Sequence, residues 1–270
     1  MQKNVTKKIT ESSVLLALGT VLSFIKILDL PYGGSVTLCS MLPILLIAYR
    51  FGTGFGILGG FIYSVIQLLA GLKNLSYATS AKAAVAIFML DYILAFTVIG
   101  LGGIFKKVFK NQTVSITVGM AFVCILRYIL HTISGCTVWA GLSIPTNDAL
   151  IYSLGYNATY MLPELTVSVL VAFYIANSVD FGGENLTRIV KVKNNVKGVL
   201  GRNIGILALI AALVVDVLLV AAKLQNGESG AFDITGLADV NYVAMIIVSV
   251  VGVITFGVLF SNYKYKNKNN

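Results

Sequence analysis

Residues 115–135, SITVGMAFVCILRYILHTISG, decide the class of this protein. The segment is mostly apolar over a length that can cross the hydrocarbon core of a bilayer, for which a helix needs about 20 residues. The rest of the chain agrees, because hydrophobic residues make up 57% of it and charged residues only 11%. Soluble domains carry about 25% charged residues. The sequence therefore predicts an integral membrane protein with lipid as its main surroundings.

Seven further apolar stretches accompany this segment. Open sheet edges are not tolerated in lipid, and no stretch shows the alternation typical of a barrel, so all of them are predicted to be helices. We expect an all-α polytopic membrane protein with a six-helix core and a C-terminal two-helix extension. The predicted spans are residues 12–28, 36–50, 53–72, 83–105, 115–135, 158–179, 203–222 and 240–260.

The basic residues are distributed unevenly between the loops. The net charge is +9, and most of it falls on one side of the membrane. Because that side is normally cytoplasmic, we expect both termini in the cytoplasm of a cell-membrane protein. Loops of this kind mark topology, so no nucleic-acid partner is expected. The basic residues on this side are Lys3, Lys7, Lys8, Arg50, Lys106, Lys107, Lys110, Arg188, Lys191, Lys193, Lys197, Arg202, Lys264, Lys266 and Lys268.

A polar, basic segment at residues 181–202 divides the chain. It separates a membrane core, residues 1–180, from an extra hairpin at residues 203–263, which is followed by a basic tail at 264–270. Asp216 is the one charged residue inside the two spans of the hairpin. The polar N-terminus lacks the features of a cleaved signal peptide, so we expect the first apolar stretch to remain as a helix.

Several classes of function lack their motifs. The sequence has no GxxxxGK[ST] phosphate loop, no HExxH and no GxSxG. One histidine is too few for a histidine-rich metal site, and the three cysteines have no metal-like spacing. We therefore expect neither enzymatic activity nor a bound metal or cofactor.

Ionisable and aromatic residues cluster in and after the span at 115–135. Arg127 and His131 are four residues apart, so both are predicted to project from one side of a helix together with Tyr128. His131 is the only histidine and Trp139 the only tryptophan of the chain. Ionisable groups kept inside a bilayer usually face a partner, a cavity or a ligand. With Asp91 in the preceding span, this cluster suggests a pocket for a small polar or cationic molecule.

Structural roles compete with this hypothesis. Asp91 could form an ion pair with Arg127 alone. Trp139 and Tyr152 could anchor the protein at the headgroup level, where aromatic residues are common. Asn157, at the start of the predicted sixth span, is a good helix N-cap.

Four other features are open to more than one interpretation. Glu164 follows Pro163 in the sixth span and is predicted to be held by Arg127 or a neighbouring hydroxyl. The loop at residues 29–35 contains a Gly-Gly pair, which suits either a tight turn or a close approach to a ligand. Ser13 and Ala17 are small residues four apart, a spacing that lets another helix approach closely. The glycines at 52, 54, 56, 59 and 60 form a second such surface, and either surface could serve internal packing or a membrane partner.

Four motifs together resemble the thiamine-specific substrate-binding (S) subunits of energy-coupling factor transporters, the ThiT type. They are PYGGSVTLCSMLP at 31–43, LDYILAF at 90–96, RYILH at 127–131 with the glycine at 135 and the tryptophan at 139, and YSLGYN at 152–157. The resemblance covers residues 10–178. It implies a six-helix fold with a vitamin pocket near the outer face, and it leaves the last two spans unexplained.

The resemblance also implies site residues. An acidic residue before a tyrosine in the fourth helix faces the vitamin in this family, and Asp91 stands there, where some members carry a glutamate. Some members have a tryptophan in the first outer loop, where this chain has Gly34, so the contact there would come from backbone or from Tyr32. The implied substrate-binding residues are Asp91, Tyr92, Arg127, His131, Gly135, Trp139, Tyr152, Asn157, Tyr32 and Gly34.

Partners follow from the same resemblance. In the family the S subunit captures thiamine, while a transmembrane coupling subunit and two cytosolic ATPase subunits drive uptake. The first three helices form the contact face, which places Ser13 and Ala17 against the coupling subunit. Thiamine is thus the transported ligand, and no cofactor is expected.

The chemistry of thiamine suits these residues. A carboxylate can accept from the aminopyrimidine and offset the thiazolium charge, and aromatic faces attract a desolvated cation. His131 is expected to be neutral, since a second cation would repel the thiazolium. The alternatives are an S subunit for a thiamine precursor or another vitamin, and an ion-coupled secondary transporter that uses Asp91, Arg127 and Glu164 as a charge relay.

Overall fold

The structure is a computed structural model that describes residues 2–30, 33–138, 146–189, 196–224 and 234–268. The predicted site residues Tyr32 and Trp139 lie outside these ranges. The chain divides into two compact units, Met1–Phe173 and Tyr174–Asn270.

Helices dominate the first unit, with one small β-hairpin. In chain order its elements are α1 (Gln2–Phe24), β1 (Lys26–Asp29), β2 (Ser35–Thr37), α2 (Met41–Phe51), α3 (Thr53–Ala70), a 3₁₀ segment (Leu72–Tyr77), α4 (Ala81–Lys106), α5 (Gln112–Thr137) and α6 (Asn147–Ser178). The last residues of α6, 174–178, already belong to the second unit.

Six of the described helices are long and apolar enough to cross a membrane. They are Thr53–Ala70, Ala81–Lys106, Gln112–Thr137, Asn147–Ser178, Gly201–Val220 and Tyr242–Ser261. Together with the helical content of the chain they confirm the prediction of an all-α polytopic membrane protein.

The two predicted N-terminal spans have different ends in the structure. Residues 26–29 form β1 rather than the end of a helix, and they pair antiparallel with β2, with Asp29 opposite Ser35. The second stretch is a strand followed by α2, which is only 11 residues long. The prediction of a continuous helix over 36–50 is wrong, because residues 35–37 are extended and pair with β1 as a strand.

Helix α2 is the centre of the first unit. Residues Met41 to Tyr49 are all buried, as expected for a helix that is apolar on every side. Arg50 follows them, and its guanidinium contacts Glu11 of α1 at 2.6 Å. This residue, counted above as a topology-marking charge, therefore also joins α1 to α2.

Helices α3 and α4 cross at glycines. A Cβ atom on Gly100 would lie 2.3 Å from the backbone carbon of Gly56, and one on Gly60 would lie 2.9 Å from the carbonyl oxygen of Thr97. The backbones therefore touch directly, which only glycine allows. Of the glycine surface predicted on α3, Gly56 and Gly60 serve internal packing, whereas nothing lies within 4 Å of a Cβ on Gly52 or Gly54.

Helix α4 changes its winding along its length. It is α-helical to Ile87, forms a π-helix over Phe88–Leu94 and ends in a 3₁₀ segment over Val98–Lys106. A π-turn inserts an extra residue per turn and is often found at functional sites. Asp91 lies in the middle of this turn.

The sixth helix begins earlier than predicted. It starts at Asn147 rather than near residue 158, which places Tyr152 and Asn157 inside the helix. The prediction of Asn157 as an N-cap is wrong, and its amide instead bonds to side chains and backbone around it, as described below.

The second unit contains a short hairpin and two helices. Strands β3 (Val179–Asp180) and β4 (Thr187–Arg188) pair antiparallel. They are followed by α7 (Val196–Leu224) and α8 (Tyr242–Lys268). The two helices pack along each other, with Gly252 against Ala212. Asp216, the charge predicted inside this hairpin, accepts a hydrogen bond from Ser249 at 2.6 Å.

Candidate functional site

A cavity of about 490 Å³ lies in the first unit. This volume is within the usual range for small-molecule sites. Residues from α1, the β-hairpin, the 3₁₀ segment and α3 to α6 contribute to its wall, together with Ser40 just before α2. Eight of the ten predicted substrate-binding residues line it, namely Gly34, Asp91, Tyr92, Arg127, His131, Gly135, Tyr152 and Asn157. The other two, Tyr32 and Trp139, lie outside the described residues.

Asp91 and His131 form the polar centre of the cavity. The Asp91 Oδ1 atom is 2.8 Å from His131 Nδ1, and Asp91 Oδ2 accepts a hydrogen bond from the Ser134 hydroxyl at 2.6 Å. The π-turn of α4 and one face of α5 bring these groups together. The sequence interpretation that paired Asp91 with Arg127 is therefore wrong, because His131 and Ser134 take that place.

The partners of His131 fix its tautomer. A carboxylate only accepts, so Nδ1 carries the hydrogen that is donated to Asp91. The other ring nitrogen, Nε2, lies 3.4 Å from an Arg127 amino group, and a guanidinium only donates. His131 is thus a neutral imidazole held between an acceptor and a donor.

Arg127 is buried beside His131 in the wall of the cavity. One amino group donates to the sulfur of Met41 at 2.8 Å, and the guanidinium lies 4.4 Å from the ring centre of Phe96. Its Nε atom has no hydrogen-bond partner among the described residues. Arg127 is thus held by the Phe96 ring, the Met41 sulfur and His131 rather than by Asp91.

Asn157 is oriented by a network of its own. Its amide nitrogen donates to the Ser153 carbonyl at 2.8 Å, to the Ser153 hydroxyl at 3.1 Å and to the His131 carbonyl at 3.3 Å. Its oxygen accepts from the hydroxyl of Tyr160. Because both ends of the amide have partners, the side chain is held in one orientation at the cavity wall.

Comparison with known proteins identifies the family of this chain. The model of the thiamine transporter protein family (Thia_YuaJ) matches residues 9–180. The chain belongs to this family. The match covers the described cavity and ends near the start of the second unit. Membership confirms the predicted resemblance and a role in transport rather than in catalysis.

Two relatives illustrate the similarity. The thiamine transporter ThiT of Bacillus subtilis (strain 168) is 33% identical over 175 residues, which is 61% of this chain and 87% of that protein. A solved structure of ThiT from Listeria monocytogenes superposes with a TM-score of 0.51 and 24% identity, covering 63% of this chain and 93% of that one. At this identity the second comparison concerns the fold alone.

A row of tyrosines lines the cavity of this thiamine transporter family member. Tyr152, Tyr156 and Tyr160 are spaced by four on α6, and the first two rings are stacked with centres 6.5 Å apart. The Gly34 N–H donates to the Tyr156 hydroxyl at 3.3 Å, and a Cβ on Gly34 would lie 2.7 Å from the Tyr160 ring. The residue at 34 must be small because the hairpin rests directly on these rings.

Sequence reasoning missed Tyr156, Tyr160 and the position of Glu164. The spacing of the tyrosines was a usable signal, because residues at i, i+4 and i+8 share one helix face. Glu164 also lines the cavity, and its carboxylate accepts from the Thr37 N–H at 2.6 Å and the Thr37 hydroxyl at 2.8 Å. Of the two partners predicted for Glu164, Arg127 or a hydroxyl, the structure shows a hydroxyl, that of Thr37. This contact joins α6 to β2.

Tyr128 does not belong to the cavity. Its hydroxyl donates to the carbonyl of Leu154 at 3.0 Å, and it is not among the lining residues. The expectation that it shares the cavity-facing side with Arg127 and His131 is wrong. Tyr128 is about 100° around the helix from its neighbour Arg127, and its side chain lies against α6 instead. Ser13 and Ala17, the predicted partner-binding pair, are both exposed on α1.

Gly135 offers a test of the Asn157 network. A Cβ at this position would lie 2.3 Å from the Ser153 hydroxyl and 3.4 Å from the Asn157 amide nitrogen. We expect Gly135→Ala to displace both groups and to weaken thiamine binding about tenfold or more, measured by titration calorimetry. Ser153→Ala removes the hydroxyl in the way, so the double variant is expected to recover part of the affinity. Equal losses in the single and double variants would contradict this.

Proposed function

We propose that this chain is the thiamine-binding subunit of an ATP-driven uptake transporter, and that the described cavity is its thiamine site. The observation that carries the proposal is the Asp91–His131–Ser134 group inside a cavity of a thiamine transporter family member. A carboxylate offers about four acceptor positions, so a ligand amino group can join His131 and Ser134 at Asp91.

The charge of the lining supports a monocation as the ligand. Two carboxylates, Asp91 and Glu164, line the cavity with one buried guanidinium, Arg127, while Lys26 at its edge pairs with Asp29 at 2.9 Å. His131 is neutral in its observed hydrogen bonds. Glu164 is hydrogen-bonded to Thr37 through both oxygens. With Glu164 ionised, the lining carries one excess negative charge that a thiazolium would balance, and the tyrosine faces suit such a cation.

The orientation follows from the basic loops. With both termini in the cytoplasm, the β-hairpin and the 3₁₀ segment Leu72–Tyr77 lie on the outer side, where the cavity takes up thiamine. The protein thus captures the vitamin from outside the cell membrane.

ATP-driven uptake would require partner subunits, because the sequence contains no phosphate-binding loop. A transmembrane coupling subunit and two cytosolic ATPases would supply the energy. The small exposed residues Ser13 and Ala17 on α1 support a close helix contact there. We expect Ala17→Trp to abolish uptake while leaving thiamine affinity within about twofold of the unmodified protein, since α1 would be kept from its partner. Loss of both activities together would contradict this separation.

Uptake of labelled thiamine into cells that lack other thiamine transport tests the proposal. The chain is expressed alone and together with an energy-coupling module, before and after depletion of ATP. The proposal predicts uptake only with both the module and ATP. Uptake by the chain alone that collapses with the proton or sodium gradient would instead indicate an ion-coupled transporter. Competition by hydroxymethylpyrimidine or riboflavin at lower concentration than thiamine would indicate another vitamin.

A further inference from the structure

Three segments that are distant in sequence meet at the side chain of Asn74. Its amide nitrogen donates to the Tyr92 hydroxyl at 3.0 Å, and this hydroxyl donates to the Gly71 carbonyl at 3.1 Å. Asn74 and Gly71 belong to the connection between α3 and α4, whereas Tyr92 belongs to the π-turn of α4. The chain of hydrogen bonds therefore fixes the π-turn to the connection that precedes it.

The β-hairpin packs on the same amide. Gly33 has a φ of 98°, and a Cβ on it would lie 2.3 Å from the Asn74 amide nitrogen. Gly71 is equally constrained, because a Cβ there would lie 2.3 Å from the Tyr92 hydroxyl. Two glycines thus allow backbone to approach the Asn74–Tyr92 pair from both sides, at distances that no side chain would permit.

This contact lies next to the group proposed to hold the ligand. Tyr92 directly follows Asp91 in the π-turn, and Asn74, Gly33 and Gly71 all line the cavity. On its other side the hairpin is held by the hydrogen bond from Gly34 to Tyr156. The hairpin therefore rests on α6 through one glycine and on Asn74 through the other.

The geometry points to Asn74 as a positioning residue that keeps the hairpin and the Asp91 turn together over the bound ligand. This inference rests on the proposed function of the cavity. A neutral amide is needed because it donates to Tyr92 and leaves the tyrosine hydrogen for Gly71. An aspartate would accept from Tyr92 instead and so would break the hydrogen bond to Gly71. Asn74 acts through Tyr92, so its loss should mainly speed the escape of ligand.

Dissociation kinetics of thiamine from the purified full-length protein test this role. Asn74→Ala and Asn74→Asp are expected to raise the dissociation rate about tenfold while the association rate changes less than about twofold. Tyr92→Phe should give a similar increase. In the Tyr92→Phe background, Asn74→Ala should add less than about twofold, because both substitutions remove the same hydrogen bond. Ser76→Ala is the matched control, because Ser76 is in the same segment and its hydroxyl donates to the Lys73 carbonyl; this variant should bind as the unmodified protein does.

The role of Asn74 and the proposed function of the cavity can fail separately in these experiments. Thiamine binding by the unmodified protein addresses the proposed function by itself. If that binding is present but both Asn74 variants dissociate at the unmodified rate, the inference is wrong. Effects that multiply in the double variant would likewise overturn it, because Asn74 would then act independently of Tyr92. A lower thermal midpoint with an unchanged dissociation rate would reduce Asn74 to a purely structural role and also overturn it.

Discussion

Asp91→Asn is expected to lower the affinity for thiamine by about 100-fold or more. The substitution keeps the shape but removes the negative charge that would balance the thiazolium. It also places an amide against the Nδ1–H of His131 and the Ser134 hydroxyl, which are both satisfied by carboxylate oxygens at 2.8 and 2.6 Å. One amide group cannot accept at both ends, so either His131 changes tautomer or Ser134 loses its partner.

Titration calorimetry on the purified variant measures this loss. Asp148→Asn is the matched control, because Asp148 is an exposed acidic residue in the first turn of α6 and should bind with unchanged affinity. An Asp91→Asn protein that folds and binds thiamine as tightly as the control would show that the ligand is not held at this carboxylate.

Gly100→Ala is expected to give the largest loss of stability. A Cβ on Gly100 would lie 2.3 Å from the backbone of Gly56, and backbone cannot rotate away as a side chain can. Helices α3 and α4 would have to separate along their whole contact, at a cost of about 3 kcal/mol. The thermal midpoint in detergent should fall by about 5 °C or more.

The matched control for this variant is Gly54→Ala. Nothing lies within 4 Å of a Cβ on Gly54 in α3, so alanine there should be neutral or slightly stabilising through its higher helix propensity. Equal midpoints for the two alanine variants would mean that the glycine crossing does not hold α3 against α4.

The long apolar helices of the first unit could be predicted from the sequence. The span expected at 115–135 lies within α5, Gln112–Thr137, and the span at 83–105 lies within α4, Ala81–Lys106. In such segments the length of the hydrophobic run is itself the physical cause of the element. The resemblance predicted that Asp91 and His131 line the same cavity, and both residues line it.

Short elements and winding were not predictable in the same way. Strands β1 and β2 have four and three residues, and an apolar run of that length cannot be told from the end of a helix. The π-turn around Asp91 has no local signature, because it depends on how α4 packs against its neighbours. The turn nevertheless decides which way Asp91 points.

Polar pairing was the least predictable feature. Arg127 was the obvious partner of Asp91 by charge, but the cation lies over Phe96 and the carboxylate bonds to His131 and Ser134. Asn157 was predicted as a cap, yet inside a helix its amide can bond to the carbonyl four residues earlier, here that of Ser153. Such choices depend on which groups tertiary packing brings within 3 Å.

The most direct test is a calorimetric titration of the detergent-purified full-length protein with thiamine. The account predicts saturable binding at one site per chain with a submicromolar dissociation constant, as needed for capture of a scarce vitamin. The fluorescence of Trp139, the only tryptophan, can be followed in the same samples. Absence of heat at all thiamine concentrations, from protein whose thermal unfolding shows it to be folded, would contradict the assignment of the cavity to thiamine.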